Sequence, residues 1–129
     1  MIIDNFLPEE NLKFLQETVM WSTTFPFNLH NDVTYGNDSD NLYNWYATQL
    51  VYYDQKPSME FYESVNSIFK DKIENFGAWL RIKVNFYPHT EQIYEHEQHT
   101  DYNFSHGAAI FCLNTCDGYT RIGEDIKIE

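Results

Sequence analysis

Leu80-Arg81-Ile82-Lys83-Val84-Asn85-Phe86-Tyr87-Pro88 alternates apolar and polar residues without a break. On an extended chain, side chains two apart share a face. Leu80, Ile82, Val84 and Phe86 therefore form an apolar face, and Arg81, Lys83, Asn85 and Tyr87 the opposite one. This period predicts a half-buried β-strand. Pro88, which has no N–H to give to a ladder, stops it.

Upstream, the period changes. Phe61, Val65, Ile68, Phe69 and Ile73 fall on one helical stripe, opened by Pro57-Ser58 and closed near Gly77, which predicts a helix. Residues 21–56 hold Phe25-Pro26-Phe27, the polar stretch Gly36-Asn37-Asp38-Ser39-Asp40 and an aromatic run from Tyr43 to Tyr53. They read as a loop followed by one or two strands. Trp45, Tyr46, Tyr52 and Tyr53 suit a core, with a substrate groove as the other use. Residues 4–20 place Pro8-Glu9-Glu10 before Leu12, Leu15 and Val19, the pattern of an amphipathic helix with proline and acids in its first turn.

Downstream, residues 93–101 form a second alternating segment and Ala108 to Leu113 an apolar strand. Asn114 to Gly118 reads as a turn, and Tyr119 to Glu129 as one or two more short strands. Helices followed by a β meander make an α+β chain. Its length of 129 residues suits a single domain over 1–129.

Composition narrows the partners. The formal net charge is −12, with 8 basic against 20 acidic residues, and no basic patch is visible. Nucleic acid and an acidic membrane surface are disfavoured for this reason. No apolar run reaches transmembrane length, and Met1-Ile2-Ile3-Asp4-Asn5 lacks the start of a secretory signal. Cys112 and Cys116 read as free thiols. The expectation is a cytoplasmic protein.

The chemistry-bearing stretch is Tyr94-Glu95-His96-Glu97-Gln98-His99-Thr100-Asp101-Tyr102. On a strand, His99 and Asp101 point the same way and His96 the other. An imidazole and a carboxylate converging on one point are two of the three groups of the facial triad that binds Fe(II) and leaves open positions. Two ordinary polar residues near a strand end would also account for the pair. Were the segment helical, His96 and His99 would be neighbours and a zinc site would follow. His106, in a Ser-His-Gly turn, reads more readily as solvated than as a ligand. His30 and His89 read as loop residues, and Glu91, Glu95 and Glu97 as a solvated strand face.

Context adds to the pair. Residues 81–88, His99-Thr100-Asp101, Ala109-Ile110-Phe111-Cys112-Leu113-Asn114 and Asp117-Gly118-Tyr119-Thr120 follow one another in that order. The succession resembles the prolyl-hydroxylase-like branch of the 2-oxoglutarate and Fe(II)-dependent oxygenases. There, a strand ending in Tyr-Pro precedes a His-x-Asp strand, an apolar strand ending Leu-Asn, and Gly-Gly-x-Thr or a variant. Order and rough spacing agree over residues 79–120.

The resemblance implies a non-haem dioxygenase that hydroxylates a peptidyl or small-molecule C–H bond. It makes His99 and Asp101 iron ligands and lets Tyr87 reach toward the 2-oxoglutarate co-substrate, with simple packing as the other use of that ring. Asn114 and Thr120 match positions that are partly structural. Cys112 stands where some relatives place a tyrosine that bonds the far carboxylate of 2-oxoglutarate, a departure that removes that contact.

The family fold is a double-stranded β-helix, an eight-stranded jelly roll, whose later strands carry a second histidine ligand and a basic residue for the co-substrate. On this reading residues 1–78 are a helical support region and 79–129 the first core strands, with later strands missing. Arg81, Arg121 and Lys127 do not stand at the motif position of that basic residue. A half-built sheet would leave Ile82, Val84 and Ile110 partly uncovered, so a homodimer or higher oligomer is expected. A non-catalytic jelly-roll module and a zinc-bound cupin-like protein are the alternatives.

Overall fold

The computed structural model describes residues 1–31, 33, 43–123 and 126–128. The polar stretch Gly36 to Asp40 lies outside the described residues, as do Glu124, Asp125 and Glu129. The chain is α+β, with helices α1 (Glu9–Val19) and α2 (Phe61–Phe69) and strands β1 (Asn28–His30), β2 (Tyr46–Tyr53), β3 (Lys56–Pro57), β4 (Arg81–Phe86), β5 (Thr120–Ile122) and β6 (Ile126–Ile128). It divides into two compact units, Pro26–Asn31 with Trp45–Pro88, and Met1–Phe25 with Asp32–Asn44 and His89–Glu129.

The first of these units is built on β2. The strand pairs antiparallel with β1 and β3 along one edge and with β4 along the other. Val51 sits at a register shift between Leu50 and Tyr52 and is fully buried. Asp54 and Gln55, both at positive φ (53° and 61°), turn β2 back into β3. That is the φ combination of a two-residue type I′ hairpin. Pro57, expected to open the second helix, is instead an outer strand residue opposite Tyr52, a position where its missing N–H does no harm.

Helix α2 consequently starts at Phe61 and ends at Phe69, well before Gly77. Val65 is its buried residue, and Tyr62 stacks on Tyr52 of β2 at 5.0 Å. The Trp79 indole N–H donates to Asn66 Oδ1 at 2.9 Å, which fixes the approach to β4 against the helix.

In the other unit, α1 buries Leu15 and Val19, one turn apart. Gln16 Nε2 donates to the Leu113 carbonyl at 2.7 Å, and Phe6 meets Phe111 at 6.4 Å. These two contacts place residues 111–113 beside α1. Strands β5 and β6 form a separate antiparallel hairpin, whose turn opens on Gly123 at φ 64°.

The expected strands 93–101 and 108–114 do not form; residues 87–119 carry neither helix nor strand. For 93–101 the reason is chemical. Ile93, Glu95, Glu97, His99 and Asp101 would make one face and Tyr94, His96, Gln98 and Thr100 the other. Neither face has an apolar set to bury, so nothing fixes a register. Among the described residues the sheets do not close into a barrel, and no helix is long and apolar enough to cross a membrane.

Candidate functional site

His99 and Asp101 lie in the irregular segment after residue 93, both exposed. Their side chains nevertheless face each other, with His99 Nε2 4.0 Å from Asp101 Oδ1. On the far side of the ring, His99 Nδ1 lies 3.4 Å from the Glu97 carbonyl oxygen. This contact is long for a hydrogen bond, and it leaves Nε2 as the ring nitrogen turned toward the carboxylate.

The donor set fits two positions of a metal centre. Neighbouring ligands of an octahedral ion with bonds of about 2.1 Å stand roughly 3 Å apart, so the pair must close by about 1 Å. Two exposed side chains can do this by small rotations. Among the described residues no group of three His, Cys, Asp or Glu side chains stands close enough to hold an ion. His106 is engaged elsewhere: its Nδ1 lies 2.8 Å from the Phe104 carbonyl, and its ring packs edge-on against Tyr102 and Phe104.

His96 differs from both. It is half-buried, its ring edge-on to Tyr94 at 5.2 Å, and desolvation holds its pKa below the ordinary imidazole value.

The segment is tied down at Glu95, which the sequence placed on a solvated face. Both carboxylate oxygens are used. Oε2 accepts a short hydrogen bond from the Tyr119 hydroxyl, and Oε1 pairs with Arg121 Nη1 at 2.9 Å. The hydrogen bond to Glu95 raises the Tyr119 pKa above that of an ordinary phenol, with desolvation adding to it. Lys127 Nζ sits 4.0 Å over the Tyr119 ring, within cation–π range. Nearer the pair, Gln98 Nε2 donates to the Gly123 carbonyl at 2.7 Å. The only hint in the sequence was an available arginine without a motif position.

Tyr87 belongs to the unit built on β2. It follows β4, half exposed, with its ring stacked on Tyr46 at 5.6 Å. Lys83 Nζ lies 5.7 Å from the centre of the same Tyr46 ring. Asn114 bonds locally to the Thr115 carbonyl, Thr120 pairs with Ile128, and Cys112 and Cys116 are exposed free thiols. Compared with family models, with curated proteins and with solved structures, the chain matches none.

Proposed function

We propose that His99 and Asp101 are two ligands of a non-haem iron centre in a 2-oxoglutarate-dependent oxygenase that hydroxylates a peptidyl or small-molecule C–H bond. The observation that carries this reading is the facing of His99 Nε2 and Asp101 Oδ1 at 4.0 Å in an exposed segment. The order of the motifs between residues 79 and 120 supports it. In the same reading β4 is the first core strand of a double-stranded β-helix, and Tyr87 contacts the co-substrate on the strength of the resemblance.

Bound Fe(II) would let dioxygen oxidise 2-oxoglutarate to succinate and CO₂ while one oxygen atom enters the substrate C–H bond. The chain's own contribution is to present an imidazole nitrogen and a carboxylate side by side. Both point toward solvent, so the ion's remaining positions stay open.

Anaerobic Fe(II) titration followed by a succinate-formation assay tests this. With two protein ligands, binding should be weak and reversible, and His99→Ala should abolish it. Tight stoichiometric iron would mean that a third donor takes part. Metal uptake unchanged in His99→Ala would move the site elsewhere. No uptake and no succinate would leave a non-catalytic module, and selective retention of zinc would favour a cupin-like centre.

A further inference from the structure

We infer that Glu95, held by Tyr119 just before β5 and by Arg121 within it, is a positioning residue that sets the geometry of the His99–Asp101 pair. This rests on the reading of that pair as metal ligands.

Residues 93–101 form no ladder with any strand among the described residues. No ladder among the described residues fixes the two ligands, so side-chain contacts share in placing them. Three long-range polar contacts tie this segment to the β5–β6 hairpin and the residue before it. Glu95 reaches Tyr119 and Arg121, and Gln98 reaches Gly123. Gln98 is the residue directly before His99.

The chemistry of the Glu95 contact suits positioning. One carboxylate oxygen takes a phenol hydrogen bond and the other a guanidinium, so the group is fixed in plane as well as in place. Lys127 over the Tyr119 ring limits where that ring can move. An ion pair this exposed adds little to global stability. Its effect should instead be local, on the segment that carries the two ligands. Outer contacts that orient metal ligands typically change metal affinity about 10–100-fold when removed.

The test uses the full chain and the variants Glu95→Gln, Glu95→Ala, Arg121→Ala and His99→Ala, with circular dichroism to confirm folding. Two quantities are read. The first is the backbone ¹⁵N order parameters of residues 96–101 in metal-free protein. The second is affinity for Co(II), followed through its visible absorption. We expect the order parameters of 96–101 to fall in Glu95→Ala and Arg121→Ala while those of α1 and β2 stay unchanged. Co(II) affinity should fall about tenfold or more, with the milder Glu95→Gln in between. A double Glu95→Ala/Arg121→Ala variant should lose no more than either single one.

Unchanged order parameters overturn the proposal, and so do lowered order parameters with unchanged Co(II) affinity. If wild-type protein and His99→Ala both fail to bind Co(II), the metal reading of the pair is wrong and the inference about its ligands falls with it. The order parameters then still report, by themselves, whether Glu95 orders the segment.

Discussion

His96 carries a pH dependence whose direction follows from its surroundings. Half burial beside Tyr94 disfavours the imidazolium, so its folded pKa lies below the ordinary imidazole value of 6.5. The unfolded chain therefore binds the proton first as pH falls, and stability decreases with falling pH through this window. Well above 6.5 both states are neutral at this residue and its contribution is constant. We expect the Tm of the wild type to drop relative to that of His96→Gln between about pH 7 and about pH 5. Parallel Tm curves for the two proteins would show that His96 titrates alike in both states. The two histidines, three positions apart, differ in solvation: His96 is half-buried, while His99 is exposed and faces Asp101.

At the scale of elements, β2 is the part of the fold least tolerant of change, because it is hydrogen-bonded along both edges and carries fully buried Val51. Val51→Ala removes two buried methyl groups and leaves a small cavity, which should cost about 2 kcal/mol. In urea this reads as a lower midpoint with an unchanged slope. A shift under about 0.5 kcal/mol would mean that the site collapses around the smaller side chain.

How far these elements were legible depends on what each buries. Helix α1 and strand β4 were readable because Leu15 with Val19, and Ile82 with Val84, repeat with the period of the structure they form. The β2–β3 turn was not, because Asp54-Gln55 lacks the Asn-Gly or Asp-Gly signature that positive φ normally selects. Alternation over 93–101 misled because polar residues alternated with polar ones. The i, i+2 argument for His99 and Asp101 presupposed a strand that does not form, and their facing at 4.0 Å arises in irregular chain instead. The Glu95 contacts were not readable, since Tyr119 and Arg121 approach it only through the folded hairpin.

For the whole molecule, charge and exposed apolar surface pull in opposite directions. Ile93, Phe104, Ile110 and Ile122, all in the unit that carries His99 and Asp101, are more than half exposed, Ile110 at 72%. Burying a large aliphatic or aromatic side chain is worth about 1.5–3 kcal/mol. Two copies of such a set would offset the roughly 4–15 kcal/mol of freedom lost on association. Against this, each chain carries a net charge of −12, and two such chains repel one another. Salt screens that repulsion over about 8 Å at physiological ionic strength and about 30 Å at 0.01 M, while apolar burial is not weakened by it. We therefore expect a homodimer or higher oligomer at micromolar concentration in physiological salt, dissociating as salt is removed. Multi-angle light scattering across that salt range checks this. Ile110→Asp, which adds charge to the most exposed isoleucine in the set, should shift the balance to monomer. A wild-type chain that stays monomeric at every salt concentration would mean that these side chains remain in water and that the chain needs no second copy.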